Sequence, residues 1–348
     1  MKLTPFTVFM FAVALVVSGG LRPARAYADD KPVVLEGGDG PGKGKHVVLI
    51  SGDQEYRSEE AIPQLAKILS KHHGFKCTVL FTVDPKDGTV NPNIYNVPGL
   101  EALKSADLMV IFTRFLNLPD EQMQHIEDYL AAGKPVVGLR TSTHAFNGIP
   151  AKSRFAKFNN GSNVKGWEGG FGKHVLGEQW VNHHGAHGSQ GTRGIVVKGQ
   201  EPHPILKGIG AGDIFGTTDV YTVNLPLAAE CTPLVLGEVT ETLKPDSKGV
   251  STKKNDPMMP IAWTKTYKAD GDKKGRAFTT TMGASQDLVF EGTRRMIVNG
   301  CFWAAGLEGK IPDKTDVAIV GTFKPTPFRF KNSAEWVKDP VKPADLVK

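Results

Sequence analysis

His46-Val-Val-Leu-Ile-Ser-Gly-Asp-Gln-Glu-Tyr-Arg-Ser-Glu-Glu-Ala-Ile-Pro-Gln-Leu-Ala-Lys-Ile-Leu-Ser-Lys-His-His-Gly74 decides the architecture of this 348-residue chain. His46 to Ser51 is a short apolar run, the pattern of a strand buried on both faces. A polar loop follows. Ser58 then stands as a helix cap, with Glu59 and Glu60 in the first turn, where the helix dipole favours acids. Ile62, Leu65, Ile68 and Leu69 give that helix one apolar face, and Gly74 stops it.

The same alternation continues along the chain. Phe75 to Thr82 reads as a second strand and Asp107 to Thr113 as a third. Pro119 opens a helix through Ala132, with Met123, Ile126 and Leu130 on one stripe and Gly133 as its stop. Pro135 to Leu139 is a fourth strand. Strand, helix, strand at this spacing implies right-handed crossovers, hence an α/β fold around a largely parallel sheet. Beyond Leu139 the pattern weakens. Residues 144 to 192 are rich in Gly, Asn, His and Trp and read as long functional loops, with a short helix at Ser153 to Phe158. Later strands are expected at Gly194–Lys198, Leu234–Val239, Ile261–Thr266 and Ala277–Met282, and a final helix at Gln286–Ala305. Ligands of an open parallel sheet bind at the carboxyl ends of its strands, so the loops after Ser51, Thr113, Leu139 and Met282 are the ones to watch.

The ends of the chain carry their own signals. Lys2, the uncharged run Phe6 to Ser18 and the patterns Ala24-Arg25-Ala26 and Ala26-Tyr27-Ala28 have the order of a secretory signal peptide, assigned to residues 1–28. The run is shorter than the roughly 20 apolar residues of a membrane span, and no later segment is long enough either. The protein is therefore expected to be exported by a Sec-type signal to the periplasm or outside the cell. Residues 29–45 read as a glycine-rich linker without regular structure, residues 46–310 as the folded domain and residues 311–348 as a polar tail. The formal charge is +6 from 42 basic and 36 acidic residues; Lys2, Arg22 and Arg25 leave with the signal, so 39 basic residues face 36 acidic ones, a balance of +3. That is not the concentrated basic face of a nucleic-acid binder. Cys77, Cys231 and Cys301 are widely spaced and expected as free thiols, and without a C-x-x-C no cysteine zinc site is expected.

The segments Leu49 to Arg57, Gly133 to Arg140, Gly169 to His174, His203-Pro-Ile205, Asp219-Val-Tyr221, Pro260 to Trp263 and Gly275 to Gly283 occur in an order that resembles the ThuA-like (trehalose-utilisation) family, over about residues 46 to 308. The resemblance implies a class I glutamine-amidotransferase-like fold, a flavodoxin-like three-layer sandwich, and a link to sugar metabolism. The chain departs from the family pattern in carrying Arg140, Val220 and Gly283-Ala284 where many members have His, Glu and Gly-His, which implies a rearranged site.

Several residues can carry chemistry. In amidotransferases of this fold the turn after the strand ending at Leu139 presents a cysteine. Here the turn reads Arg140-Thr-Ser-Thr-His144, and no cysteine lies between Cys77 and Cys231, so thiol amidase chemistry is not expected. Arg140, Thr141 and Ser142 are candidate binders of ligand oxygens, with His144 a candidate catalytic group beside them. His174, His183, His184 and His187, four of the ten histidines, crowd into one glycine-rich loop. His183, His184 and His187 are candidate ligands of a divalent, zinc-like ion, although they lack the helical His-x-x-x-His register. In the same loop Glu178 is a candidate general base and His174 a substrate contact. Asp53, Glu55 and Arg57 can anchor ligand hydroxyls or merely organise the next helix. Trp167, Trp180 and Tyr221 can stack on a sugar or pack in the core. The leading functional reading is an exported enzyme acting on a sugar or sugar derivative. The competing ones are a noncatalytic carbohydrate-binding protein and a metal-dependent hydrolase.

Overall fold

The computed structural model describes residues 32–348; the expected signal peptide lies outside the described residues. In chain order the strands are β1 (Val33–Leu35), β2 (His46–Gly52), β3 (Lys76–Phe81), β4 (Leu108–Thr113), β5 (Val136–Leu139), β6 (Asn182–His183), β7 (Thr192–Val196), β8 (Phe215–Gly216), β9 (Tyr221–Thr222), β10 (Cys231–Val239), β11 (Met259–Lys268) and β12 (Lys274–Thr280). The α-helices are α1 (Ser58–His73), α2 (Asp120–Ala131), α3 (Glu291–Ala304), α4 (Ser333–Lys338) and α5 (Pro343–Leu346).

Ten strands form one sheet in the order β1-β3-β2-β4-β5-β12-β11-β10-β7-β8, while β6 and β9 pair as a separate ribbon. From β3 to β12 every pairing is parallel. From β12 to β8, and between β1 and β3, every pairing is antiparallel. The sheet is therefore mixed, and the expectation of a largely parallel one holds for its first half. The reason is connectivity. A parallel neighbour needs a crossover of a dozen or more residues, which α1 and α2 supply, whereas only the turn 269–273 separates β11 from β12.

Alternation along β2 separates the two sides. Val47 and Leu49 join the core that contains Ile62, Leu65 and Ile68 of α1 and Met296 and Ile297 of α3. Val48 and Ile50 join the core that contains Met123 and Ile126 of α2. Helices thus cover both faces of the parallel half, and each fully buried aliphatic side chain contributes roughly 1.5–3 kcal/mol. Gly74 ends α1 at φ 76°, a conformation that costs a glycine nothing, and its N–H satisfies the carbonyl of Ser70. Ser58 proves to be the first helical residue and not the cap. Its hydroxyl meets that of Ser51 at 2.8 Å and accepts from the Asp53 N–H at 3.0 Å.

The described part of the expected linker and the polar tail both hold more structure than their composition suggested. Within the expected linker, Val33–Leu35 pairs with β3 along its open edge, because two valines and a leucine satisfy a strand before the glycines begin. The polar tail folds back over the domain. Trp336 of α4 is buried, the Thr326 N–H donates to Glu60 at 2.8 Å, and the Arg329 N–H donates to the Glu55 carbonyl at 2.9 Å. Cys77 and Cys301 are buried, Cys231 is half-buried, and all three are free. Among the described residues no helix is long and apolar enough to cross a membrane.

Candidate functional site

The carboxyl edge of the parallel strands gathers the polar groups. Among the described residues three non-glycine residues have positive φ, Arg57 (63°), Phe115 (49°) and Arg140 (44°), and all lie just beyond β2, β4 or β5. Such backbone costs free energy and persists only where the surroundings enforce it. At Arg140 the enforcement is visible. Its N–H donates to the Met282 carbonyl at 3.1 Å. Its buried guanidinium donates from Nη1 to the carbonyls of Asp219 and Thr281, both at 2.7 Å. From Nη2 it donates to Asp219 Oδ1 at 2.9 Å and to the Tyr56 hydroxyl at 3.0 Å. The Tyr221 and Tyr56 rings flank it, their centroids 3.8 and 4.3 Å from Cζ. A desolvated cation between two aromatic faces and a carboxylate is firmly anchored.

Asp219 is the pivot of the site. It precedes β9, and its side chain is fully buried. One oxygen faces His183 Nδ1 at 2.8 Å and the other faces His187 Nδ1 at 3.1 Å. Burial alone would raise its pKa, but Arg140 and the two imidazoles more than offset that and hold the carboxyl well below its ordinary range. His187 Nε2 lies 3.3 Å from Glu55 Oε1, and the Tyr56 hydroxyl lies 3.2 Å from its Nδ1. Hydrogen bonds to Asp219 and then to Glu55 raise His187 to about 9. The side chains of His183 and His187 are 33% and 31% exposed, so the cluster has a buried anchor and an accessible tip. Glu55 is held from the other side by Arg114, at 3.3 Å.

His144 stands beside this cluster. It is buried between Phe115 and Trp180, with ring centroids 4.9 and 5.1 Å away, and lies 6.0 Å from Tyr221. Burial, and then the charges of Arg114 and Arg140, push its pKa well below the usual histidine value, so it is neutral. The half-buried Trp180 ring lies 5.8 Å from that of His183, and its indole N–H finds no acceptor among the described residues.

Other candidate residues serve the fold. Asp53 accepts from the N–H groups of Glu55 and Tyr56 and from the Thr141 hydroxyl, so it shapes the loop that presents Glu55. The Ser142 hydroxyl donates to the Ile111 carbonyl at 2.6 Å, inside the sheet. Arg57 turns to Glu59 at 2.8 Å and Glu60 at 3.0 Å, under Trp336. His184 leaves the proposed ligand set because its Nε2 bonds the Lys254 carbonyl at 2.7 Å. Adjacent residues of an extended segment face opposite sides, so His184, next after β6, turns away from the Asp219 that His183 meets. His174 stacks on Trp167 at 4.0 Å and bonds the Lys268 carbonyl at 2.8 Å, on the antiparallel wing. Glu178 is buried, accepts from the Gln179 N–H, and acts electrostatically on Cys231 and Lys265. Gly172 explains why this loop is glycine-rich, since a Cβ there would lie 1.9 Å from the Thr143 carbonyl oxygen. Sequence reasoning assigned no site role to Asp219 or Tyr56. The one available signal for both was their place in the segments Leu49 to Arg57 and Asp219-Val-Tyr221.

The mixed sheet and its edge cluster define an α/β protein with a histidine–carboxylate site above parallel strands. Residues 46–304 match the profile of the ThuA family, described as trehalose utilisation, and the chain belongs to that family. Two solved structures are similar to it. One is of a ThuA-like protein from Parabacteroides merdae ATCC 43184, 16% identical, covering 83% of this chain and 98% of its own, with a TM-score of 0.45. The other is of a ThuA-like protein from Bacteroides uniformis ATCC 8492, also 16% identical, covering 77% and 94%, with a TM-score of 0.45. No curated protein matches.

Proposed function

We propose that this ThuA-family protein is an exported enzyme of carbohydrate metabolism that transforms a sugar derivative, a glycoside in oxidised (keto) form, by proton transfer at the His183–His187–Asp219 cluster. One observation carries the reading: a single buried carboxylate, locked by Arg140, orients two imidazoles whose tips reach solvent. An imidazole with one nitrogen held by a carboxylate has a fixed ring plane, and this is how histidine serves as general base or acid. A carbonyl on a sugar acidifies the neighbouring C–H, so an oriented base suits that substrate class. The family's description supports a sugar ligand, and the half-buried Trp180 beside the cluster supplies flat apolar surface for a pyranose face. The helix–sheet–helix layering is read in the same proposal as flavodoxin-like, and residues 1–28 as the export signal.

The test is turnover of keto-glycosides and their unoxidised parents by the secreted protein, following release of free sugar. Cleavage of the oxidised form, lost in His183→Ala and His187→Ala with thermal stability nearly intact, is the expected result. Binding without turnover overturns the enzyme reading in favour of a carbohydrate-binding protein. Secreted protein that still begins at Met1 overturns the cleaved signal.

A further inference from the structure

The geometry points to a divalent transition-metal site in which His183 Nδ1, His187 Nδ1 and the Asp219 carboxylate are the ligands and Glu55 orients His187. This rests on the reading of the cluster as the functional site and names the ion it would use.

Ligating atoms of the three residues all lie within 4.8 Å of one another. Their closest pairs, 2.8 Å from His183 Nδ1 to Asp219 Oδ2 and 3.1 Å from His187 Nδ1 to Asp219 Oδ1, are near the spacing of neighbouring ligands around an ion that takes bonds of about 2.0–2.2 Å. The surrounding contacts match what holds a metal ligand in place. A ligating histidine nearly always gives its other ring N–H to a carboxylate or carbonyl, and His187 has Glu55 Oε1 at 3.3 Å from Nε2. With Nε2 held there, His187 turns Nδ1 toward Asp219, the side on which an ion would sit. Asp219 is likewise fixed by Arg140, which holds Oδ1 from the buried side, while Oδ2 faces His183 and Oδ1 faces His187.

The charged groups facing the cluster decide which ion fits. Asp219 and Glu55 bring two negative charges, while Arg140 and Arg114 bring two positive ones. With both histidines neutral, as ligation requires, these four charges cancel, so the set lacks the excess of carboxylate oxygen that calcium or magnesium needs. Two imidazole nitrogens and one carboxylate suit zinc and its neighbours, for which bonding to nitrogen supplies affinity that net charge does not. Three protein ligands leave a fourth position open, the arrangement of catalytic zinc sites, where the ion polarises a carbonyl or activates water.

The experiment is calorimetric titration of chelator-stripped protein with Zn²⁺, Mn²⁺ and Ca²⁺, with no sugar present. The expected result is one Zn²⁺ per chain, weak or no Ca²⁺ binding, and a loss of about 100-fold or more in Zn²⁺ affinity in His183→Ala and in His187→Ala. Glu55→Gln is expected to lose roughly 10–100-fold, and His184→Ala and His174→Ala to bind as the parent does. Thermal melts in chelator establish that each variant is folded. Absence of Zn²⁺ binding by the parent, or unchanged affinity in the His183→Ala, His187→Ala double variant, overturns the inference. Turnover of the sugar derivative separates the two readings. Activity that persists in chelator yet vanishes in His183→Ala removes the metal and leaves the proton-transfer enzyme. Zn²⁺ binding without turnover does the reverse.

Discussion

Two ends of one glycine-rich loop, Gly172–Glu178 and Asn182–His187, are built from the same residue types and have opposite fates. At the first end His174 lies flat on Trp167 and is tied to the Lys268 carbonyl, with Glu178 buried near Cys231. At the second, His183 and His187 converge on Asp219 with their tips exposed. Composition does not separate them; the element underneath does. The first end rests on the antiparallel wing, where a backbone carbonyl of β11 takes up the His174 side chain. The second rides the β6–β9 ribbon beside the loops that leave the parallel strands, where backbone must turn away and polar side chains are left to meet one another.

The contrast can be broken most forcefully at its pivot. Asp219→Ala leaves the Arg140 guanidinium buried without its counter-ion, and removing one member of a buried pair typically costs about 3–5 kcal/mol. A loss of that size in urea unfolding is expected, together with loss of any activity. A change under 1 kcal/mol would mean that Arg140 is held by its carbonyl and aromatic contacts alone. The packed end is tested by His174→Phe, which keeps the stack on Trp167 and removes the bond to Lys268, at a cost of about 1 kcal/mol at pH 8. Burial holds His174 below the usual value. The neutral ring therefore favours folding above the unfolded pKa, near 6.5, and that contribution is lost as pH falls through the lower folded value. The destabilisation by His174→Phe should accordingly shrink at pH 5; if it grows, the imidazole is charged in the fold and the assignment fails. Smallest of all is the effect expected of alkylating Cys231, the half-buried thiol beside Gly177. Turnover should be unchanged, whereas inactivation of folded protein would bring the Glu178 end back into the chemistry.

The parallel half was legible because its information is local. Val47 to Ile50, the stripe on α1 and Gly74 each state their structure within a few residues. The antiparallel wing was legible as strands but not as pairings, since nothing within β10 or β11 says which neighbour it will meet or in which direction. The site divides in the same way. The carboxyl edge, the histidine loop and Arg140 could be found from sequence, and a role for Asp219 could not. A single aspartate before a two-residue strand has no periodic signature, and its partners lie 79 residues away at Arg140 and 36 and 32 away at His183 and His187. Arg140 was expected to bind ligand oxygens, and in the fold its guanidinium donates to Asp219, Thr281 and Tyr56. Arg57 follows the helix-organising alternative on Glu59 and Glu60, and Ser142 donates to the Ile111 carbonyl, because a polar side chain near a strand end has backbone and neighbours to satisfy.

Phe328 packs over His187, with ring centroids 4.1 Å apart, and leans on Tyr56 at 5.7 Å, while the Thr326 carbonyl accepts from the Ser285 hydroxyl at 3.1 Å. This stretch lies beyond residue 304, where the match to the ThuA family ends. The histidines and carboxylates belong to the shared domain, and the aromatic roof above one of them is drawn from a segment outside it. The cluster and its aromatic cover are thus written in separate parts of the chain. A lineage can exchange the roof while the histidines and carboxylates beneath it stay where they are.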